Sequence, residues 1–466
     1  MSSDASGIFR QTLDLIERHL ERESASPVSV AASPAEVAAE LSLGLPRRGL
    51  DDEAWTTLLD GVVSATPRTT TRSFFNQLFA GRDAHAVAGE MLASVLNSSM
   101  YTYKIAGVHV LIERALTRHM GGKVGYDTDP ATGCEGVFAP GGSLAILAGM
   151  LMARDAKCPS YQTDGPPAKP LTLYYSDNGH YAVPKNAKMM GLGSKHVRKV
   201  ATDARGRMLP DALDRAIRDD AESGCTPFLV IATEGTTVLG AYDPLDEIAP
   251  VCREHGLWLH ADACFGGSAA LSSEHRCLLR GSELTDSFSW DAHKMMGVPL
   301  VCSVILTREP GRLRSCFNES ASYLFQSPED MKEEDRLNHG TMSPQCGRPN
   351  DALKLFAAWQ HHGDEGYDRR ITHLFDLAQH AAATVEADAG MTLVKRPESV
   401  TVCFKVEGIT PQELCERMRQ EERALVGYAI VDGEPVVRLA CVNAENTLED
   451  LDRFFDHVRE VAGVGV

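Results

Sequence analysis

The 466-residue chain carries 64 acidic and 46 basic residues, which gives a formal net charge of −18. This balance argues against a nucleic-acid partner and against adsorption on an anionic membrane, although a local basic site for an acidic substrate is compatible with it. Hydrophobic residues make up 43% and charged residues 24% of the sequence, as in ordinary globular proteins, and the length suits two or three domains.

The sequence shows no targeting or metal-binding pattern. Its first twenty residues lack the basic region and apolar core of a secretory signal, and the longest apolar stretch, residues 142–153, is too short to cross a bilayer. The 12 cysteines are scattered, with no C-x-x-C pair and no Cys/His cluster at zinc-ligand spacing. We therefore expect a cytoplasmic protein with reduced thiols, no metal site and no membrane contact.

Helix patterns open the chain. Apolar residues recur at helical spacing over residues 8–22, and a second short helix ends at about Ser42. We expect a small helical segment that packs on a larger domain or serves as an arm between subunits. Farther along, Gln77, Ser99 and Tyr101 lie in loop-like settings before a long helix pattern. Such polar residues suit turn and capping chemistry as well as a binding site.

The sequence Pro140-Gly141-Gly142-Ser143 opens directly into a strongly apolar helix. A helix start offers free N–H groups, and glycines let a ligand come close, so this turn suits a phosphate group. An ordinary buried helix with Ser143 as its N-cap explains the same pattern.

Apolar segments alternate with helix patterns in the middle of the chain. They cover residues 171–176, 228–233, 257–261, 286–290 and 302–306. Near-continuous apolar strands that alternate with helices predict a parallel or mostly parallel sheet covered on both faces. Ligands of such sheets bind beyond the carboxyl ends of the strands. Because Ser176, Thr233, Asp262 and the turn 291–294 lie at these ends, we expect their polar groups to converge.

Lys294 follows one of these segments, directly after His293. A lysine at the end of a buried strand is desolvated, which favours its neutral, nucleophilic amine and suits a Schiff base with the aldehyde of pyridoxal phosphate (PLP). Most lysines are solvated surface residues, so the chain must supply the other parts of such a site. The candidates are Asp262 for the pyridine nitrogen, Gly142 and Ser143 for the phosphate, His180 for the ring face and Arg438 for the substrate carboxylate. A surface cation on an edge strand explains Arg438 equally well.

The last third of the chain begins with an aperiodic stretch, residues 316–347, and stretches this long are usually functional or disordered. Helix patterns follow over residues 351–360 and 367–387. The pattern then predicts strand, helix, strand and helix over residues 399–406, 410–422, 436–442 and 447–461. We therefore expect a small α+β domain at the end of the chain.

Several motifs resemble the group II PLP-dependent amino-acid decarboxylases, in the branch that contains the glutamate, cysteine sulfinate and aspartate decarboxylases. The resemblance runs from about Ser73 to the C-terminus and is carried by FFNQLFAG, NSSMYTYKIA, GVFAPGGS, ATEGTTVLGAYDPL, LWLHADACFGGS, SWDAHKMMGVPLVCS, ASYLFQ and QCGR. It implies the type I (aspartate aminotransferase-like) α/β fold of PLP-dependent transferases, with a mostly parallel seven-stranded sheet. Together with the helix and strand patterns above, it divides the chain into an N-terminal helical segment (residues 1–60), a large PLP-binding domain (61–345, with a mobile lid at about 318–344) and a small α+β domain (346–466).

The resemblance also implies roles for individual residues. Lys294 would hold PLP as a Schiff base, Asp262 would pair with the pyridinium nitrogen, His180 would stack on the ring, and Thr233 would lie near the ring hydroxyl. Gly142, Ser143 and His293 would bind the phosphate, and Cys264 stands where alanine usually packs on the ring. Arg438 would bind a substrate carboxylate, Gln77 would line the pocket, and Tyr323 on the lid would protonate the substrate carbon after carbon dioxide leaves. In this family the lid reaches the neighbouring active site, which implies an obligate homodimer.

The expected substrate depends on the sequence NSSMYTY, in which Ser99 and Tyr101 resemble the cysteine sulfinate and aspartate enzymes. The tyrosine would shrink the pocket, which favours aspartate or cysteine sulfinate over glutamate as the amino acid that is decarboxylated to its amine. The chain departs from the family pattern at Lys104, where relatives have glutamate, at Glu234, where they have a small residue, and at Asp291, where they have asparagine.

Other outcomes fit the same residues. If the altered lid misplaced Tyr323, the carbanion would meet oxygen, and decarboxylation would lead to oxidative deamination and an aldehyde. A non-catalytic protein that kept the fold is a second alternative, against which intact Lys294, Asp262 and His180 argue. A nucleotide-binding α/β protein is disfavoured, because the chain has no G-x-G-x-x-G after the first strand and no G-x-x-x-x-G-K-[ST].

Overall fold

The computed structural model describes residues 5–23, 26–29, 32–319, 321 and 337–463. The N-terminal part contains the helices α1 (Ala5–Glu23), α2 (Pro34–Leu41) and α3 (Asp52–Ala65), and α1 packs against α3. The helices α4 (Ala84–Leu96), α5 (Tyr103–Ala106) and α6 (Val108–Lys123) follow and lead to the large sheet. The division into residues 1–60, 61–345 and 346–466 stays a prediction, and α3 continues past position 60.

Among the described residues, seven strands form the large sheet. They are β1 (Glu135–Ala139), β2 (Leu171–Ser176), β3 (Val197–Val200), β4 (Thr226–Thr233), β5 (Trp258–Asp262), β6 (Ser287–Asp291) and β7 (Ser303–Thr307). Their order is β1-β7-β6-β5-β4-β2-β3. Strand β7 is antiparallel to both β1 and β6, and all other neighbouring pairs are parallel. The expected mostly parallel seven-stranded sheet is therefore confirmed.

Helices cover both faces of this sheet, as its buried strands require. They are α7 (Gly142–Lys157), α8 (Tyr161–Asp164), α9 (Ala182–Met189), α10 (Pro210–Glu222), α11 (Leu245–His255) and α12 (Arg312–Phe317). Helices α7 and α9 share a core with Leu229 and Ile231 of β4, whereas α10 and α11 share the opposite core with Val230 and Ala232. Successive residues of β4 thus point to opposite faces, which explains why the whole strand is apolar.

The C-terminal part begins with helix α13 (Asp351–Ala387). Gly363 interrupts the helical backbone of α13 with a φ of 61°, which glycine adopts without steric cost, so α13 consists of two helical segments, as the sequence pattern predicts. The remaining elements are β8 (Met391–Lys395), β9 (Thr401–Val406), α14 (Pro411–Gln420), β10 (Gly427–Val431), β11 (Glu434–Ala440) and α15 (Leu448–Ala462). The strands form an antiparallel sheet in the order β10-β11-β9-β8. Phe75 ties this sheet to the large domain through backbone hydrogen bonds with Leu425 and Ala440.

The sequence pattern misses β1, β3, β8 and β10, and each of them is an edge strand of its sheet. Edge strands are covered on fewer sides, so they do not need a continuous apolar run. Strand β3 carries Arg198 and Lys199, and β8 ends at Lys395. In the part of the chain that the structure describes, no helix combines the length and the apolar character needed to cross a membrane.

Candidate active site

A cavity of about 200 Å³ lies beyond the carboxyl ends of β4, β5 and β6, the edge of the sheet where the sequence predicts ligand binding. Its lining contains the last residue of each of these strands, Thr233, Asp262 and Asp291. The other lining residues are Gly142, Ser143, Ile146, His180, Gly235, Thr237, Cys264, Phe265, His293 and Lys294. The structure thus brings all the residues predicted to bind the cofactor to one cavity.

Lys294 lies in the turn after β6, and its side chain is 22% exposed. Its Nζ is 3.1 Å from Oδ2 of Asp291. Burial lowers the pKa of Lys294, but the charges of Asp291 and Asp262 outweigh burial and hold that pKa above its usual value. The sequence argument for a neutral amine is therefore wrong for this state, because desolvation alone does not decide the charge. Lys294 is an ammonium ion paired with Asp291.

Asp262 is a buried carboxylate that forms no ion pair within the described part of the chain. Its Oδ1 accepts a hydrogen bond from the backbone N–H of Cys264 at 3.3 Å. A buried carboxylate without a cation is destabilising, so this position suits a positively charged group of a bound molecule, such as a protonated ring nitrogen.

His180 lines the cavity with a neutral imidazole. Burial lowers its pKa, although the charge of Asp262 acts in the opposite direction. The backbone N–H of Ala182 donates a hydrogen bond to Nδ1 of His180 at 3.2 Å, which leaves the ring proton on Nε2. A neutral ring at this place can lie against a planar ligand and still donate one hydrogen bond.

The start of α7, where the sequence predicts a phosphate cradle, lines the cavity with backbone groups. A Cβ on Gly142 would lie 2.5 Å from Oδ2 of Asp291 and 2.6 Å from Sγ of Cys264, so no side chain fits there. The first N–H groups of a helix have no partner within it, and here they begin at the cavity wall. Ser143 is the second residue of α7 and makes no capping hydrogen bond, so the N-cap alternative is wrong.

His293 and Cys264 complete this side of the cavity. Nε2 of His293 lies 3.7 Å from Oδ2 of Asp291, and burial lowers the pKa of the imidazole. Burial raises the pKa of Cys264, so its side chain is a neutral thiol, and it donates a hydrogen bond to Oγ of Ser289 at 3.3 Å. Cys264 is therefore a wall of the cavity rather than a nucleophile.

Arg438 stands behind the cavity wall. It lies on β11 between β10 and β9, so the alternative of an edge-strand cation is wrong. Its Nη1 donates a hydrogen bond to the carbonyl of Thr237 at 3.1 Å, and its Nη2 donates to the carbonyl of Asn76. Its Nε is buried without a hydrogen-bond partner in the described structure. Because Thr237 lines the cavity, this one residue separates the guanidinium of Arg438 from the cavity.

The structure does not bring Gln77, Ser99 or Tyr101 to the cavity lining. Gln77 is exposed, and Oγ of Ser99 accepts a hydrogen bond from the backbone N–H of Arg348 at 3.2 Å. The carbonyl of Tyr101 accepts a hydrogen bond from the N–H of Gly340 at 2.8 Å. Tyr323 and most of the predicted lid lie outside the described residues.

Sequence reasoning missed Ile146, Gly235, Thr237 and Phe265 as cavity residues, and it placed Asp291 at this edge of the sheet without giving it a role. The available signal was their place in the chain. Gly235 and Thr237 follow Thr233, Phe265 follows Cys264, and Asp291 ends β6. In the sequence, Asp291 also replaces the asparagine of the family pattern. In the structure, its carboxylate is the closest charged partner of Lys294.

Comparison with known proteins defines the class. The family model described as the pyridoxal-dependent decarboxylase conserved domain matches residues 49–407. The chain belongs to this family, and the protein is a PLP-dependent carboxy-lyase with the type I fold.

Individual relatives narrow this class further. The chain is 42% identical to cysteine sulfinic acid decarboxylase of Mus musculus over 373 residues, 80% of this chain and 74% of the relative. It is 34% identical to the acidic amino acid decarboxylase GADL1 of Mus musculus over 439 residues, 90% of this chain and 78% of the relative. The crystal structure of mouse CSAD in apo form matches with a TM-score of 0.92 and 34% identity over 98% of both chains. The structure of Oryza sativa TDC with PLP and tryptamine shares the fold. It is 24% identical to this chain and matches with a TM-score of 0.91 over 99% of this chain and 98% of that one.

The residues of the cavity fit PLP. When bound, PLP supplies an aldehyde that a lysine amine can attack and a ring that takes up the electron pair left by a departing carboxylate. Lys294 offers the amine, and Asp262 offers a buried carboxylate without an ion-pair partner in the described structure for the ring nitrogen. The glycine-lined start of α7 offers N–H groups for the phosphate.

Proposed function

We propose that this enzyme decarboxylates a small acidic L-amino acid to its amine, with aspartate or cysteine sulfinate preferred over glutamate. The observation that carries the proposal is Arg438, a half-buried guanidinium that is separated from the cavity by Thr237 and whose Nε has no hydrogen-bond partner in the described structure. Its only partners there are two backbone carbonyls, so its charge suits a carboxylate or sulfinate. The names of the relatives, cysteine sulfinic acid decarboxylase and acidic amino acid decarboxylase, support the same substrate class.

The proposed roles divide the site by the chemistry of each side chain. Lys294 would hold PLP covalently, Asp262 would keep a proton on its ring nitrogen, His180 would cover the ring face, and Gly142, Ser143 and His293 would hold the phosphate. Thr233 would lie near the ring hydroxyl, and Cys264 would pack on the ring. Arg438 would orient the substrate through a carboxylate, and Tyr323 would return a proton to the substrate carbon.

We further propose a homodimer, because the described helices expose apolar side chains that an isolated chain leaves in water. Helix α1 exposes Phe9, Leu13, Ile16 and Leu20, α4 exposes Leu92, Val95 and Leu96, and α5 and α6 expose Ile105, Val108 and Leu111. In such a dimer Ser99 and Tyr101, which follow α4, would lie near the subunit boundary, where they could act on the partner's pocket. Val95→Glu should shift the protein toward the monomer in size-exclusion chromatography with light scattering, and an unchanged dimer would place the interface elsewhere.

The substrate is tested with purified, PLP-loaded protein. Carbon dioxide and amine are measured with L-aspartate, L-cysteine sulfinate and L-glutamate, and L-asparagine serves as the neutral match for aspartate. We expect the highest kcat/KM with one of the two short acids and little turnover of asparagine. Preference for glutamate would contradict the size argument, and equal use of asparagine would contradict recognition by Arg438.

The same assay separates the alternatives. Aldehyde and hydrogen peroxide in place of amine would indicate oxidative deamination, and PLP binding without any product would indicate a non-catalytic protein. We also propose a cytoplasmic location, which fractionation of the source cells would test.

A further inference from the structure

Glu234 is a fully buried carboxyl group at the edge of the cofactor cavity that the roles above do not use. It follows β4 directly, between the cavity residues Thr233 and Gly235. Its main chain is fixed, because its N–H donates to the carbonyl of Asp262 at 2.8 Å and its carbonyl accepts from the N–H of Gly266 at 2.9 Å. Neither oxygen of its side chain has a hydrogen-bond partner in the described structure.

The titratable groups around Glu234 are acidic. Asp262 lies on the neighbouring strand β5, and Asp243 lies after the turn that follows β4. Asp243 accepts hydrogen bonds from the N–H groups of Thr233 and Met208, and burial raises its pKa to about 7. Tyr242 forms a backbone bridge with Glu234, and its hydroxyl donates to the carbonyl of Gly266 at 3.4 Å. Farther out, Asp203 and Arg207 face Asp243 rather than Glu234.

This geometry decides the charge of Glu234. An ionised carboxylate here would be dehydrated and would face Asp262 and Asp243 without a cation or a hydrogen-bond donor. Burial and these two charges raise the pKa of Glu234 well above its usual value. The group is therefore a neutral acid at the pH at which Asp262 is needed as an anion.

We propose that Glu234 is a positioning residue for Asp262: as a buried neutral acid it leaves Asp262 as the negative charge beside the cofactor ring, whereas an ionised Glu234 would add a second charge there. This inference rests on the proposed pairing of Asp262 with the ring nitrogen. A relative with a small residue at this position has no second carboxyl group beside Asp262.

Thermal unfolding of the protein freed of PLP gives the first test, with Glu234→Gln and, as a matched control, Glu222→Gln at the exposed end of α10. The folded protein binds a proton that the unfolded chain releases, so the wild type loses stability relative to Glu234→Gln as pH rises above the ordinary carboxyl value of 4.5. We expect the thermal unfolding midpoints of the wild type and of Glu234→Gln to be closest at pH 5 and to diverge as pH rises to 9. A difference between the two midpoints that stays constant from pH 5 to pH 9 would show that Glu234 is ionised and compensated, and would overturn the inference.

The second test is the absorbance titration of bound PLP. Wild type and Glu234→Gln should agree near neutral pH and separate in alkali, where the extra charge of the wild type stabilises the protonated chromophore and raises its midpoint by about one pH unit. Identical titrations over the whole range, or a shift already at neutral pH, would overturn the coupling to Asp262. If PLP does not bind at all, the proposed cofactor roles fail, and the unfolding comparison still decides whether Glu234 is neutral.

Discussion

Nζ of Lys294 lies 3.1 Å from Oδ2 of Asp291, in a pair that is largely closed to solvent. Asp291 stands where the family pattern has asparagine, and its other oxygen, Oδ1, has no hydrogen-bond partner in the described structure. The pair fixes the position of the lysine side chain and keeps it protonated. An amine must lose its proton before it can attack an aldehyde, so Asp291 opposes the reaction of Lys294 with the aldehyde of PLP.

Asp291→Asn should therefore speed the capture of PLP. Without the carboxylate the pKa of Lys294 falls, and each unit of that fall gives about tenfold more neutral amine at a fixed pH. The measurement is the rate at which the visible absorbance of bound PLP appears after PLP is added to the cofactor-free protein, between pH 6 and 9. Asp177→Asn, at an exposed pair with Lys199, is the control. An unchanged pH–rate profile in Asp291→Asn would show that Asp291 does not set the charge of Lys294.

Lys294→Ala should remove the visible absorbance of covalently bound PLP and also destabilise the cofactor-free protein. Loss of one member of a buried ion pair leaves the other unpaired, at a cost of about 3–5 kcal/mol. The double variant Asp291→Asn/Lys294→Ala should recover most of this loss, which denaturant unfolding of the four proteins measures as a double-mutant cycle. Additive effects would mean that the two side chains do not interact in solution.

Gly142→Ala should weaken PLP binding by about fivefold to a hundredfold, since 1.4 kcal/mol corresponds to tenfold and overpacking costs about 1–3 kcal/mol. The new Cβ would lie 2.5 Å from Oδ2 of Asp291 and 2.6 Å from Sγ of Cys264. Fluorescence titration of the cofactor-free protein with PLP measures the effect. Gly49→Ala, where a Cβ meets nothing within 4 Å, should leave the affinity unchanged. Equal affinities of wild type and Gly142→Ala would argue against a phosphate cradle at α7.

The central part of the fold was predictable because burial on both faces forces a continuous apolar run. Strands β2, β4, β5, β6 and β7 lie within about two residues of the predicted segments. The convergence of Thr233 and Asp262 follows from the same argument, since adjacent parallel strands in register end at one edge. The edge strands β3, β8 and β10 escaped prediction because their burial, and hence their pattern, is incomplete. Strand β1 is buried except at Glu135, so incomplete burial does not explain why it was missed.

The local sequence pattern did not predict the rest of the site. The parts that a PLP site needs, and then the family resemblance, pointed to His180 and Arg438, which lie far from Lys294 along the chain; periodicity did not. The charge of Lys294 depends on the direction in which Asp291 points after the strand ends, and a sequence does not state that direction. Ser99 and Tyr101 lie in a loop whose contacts are with residues 340 and 348, so their distance from the cavity became apparent only in the structure.

Arg438→Met should raise KM for the acidic substrate more than it lowers kcat. Hydrogen bonds to charged groups contribute about 1.5–3 kcal/mol, so kcat/KM should fall by about tenfold to a hundredfold. Steady-state kinetics at saturating PLP measure the change, with Arg417→Met, an exposed partner of Glu421 on α14, as the control. If kcat falls and KM stays constant, Arg438 supports the fold of the wall around Thr237 and does not bind substrate.

Glu113→Gln should destabilise the protein and remove part of its acid sensitivity. Glu113 is fully buried and accepts hydrogen bonds from Nη1 and Nη2 of Arg348 at 2.6 and 2.8 Å. Burial raises the pKa of Glu113, but Arg348 and His339 outweigh burial and lower that pKa to about 2.

A carboxyl group with a depressed pKa stabilises the protein fully above its unfolded value of about 4.5, and this contribution disappears as pH falls toward 2. Glu113→Gln leaves Arg348 buried without its counter-charge, so we expect a loss of about 3–5 kcal/mol near neutral pH that shrinks in acid. Denaturant unfolding at pH 3 to 7 measures both effects against Glu222→Gln. Arg348 also donates hydrogen bonds to the carbonyl of Met100 and, through its backbone N–H, to Oγ of Ser99. We therefore expect Glu113→Gln also to change the KM values of the enzyme for the acidic substrates. A stability loss that is independent of pH would mean that Glu113 is uncharged in the folded protein.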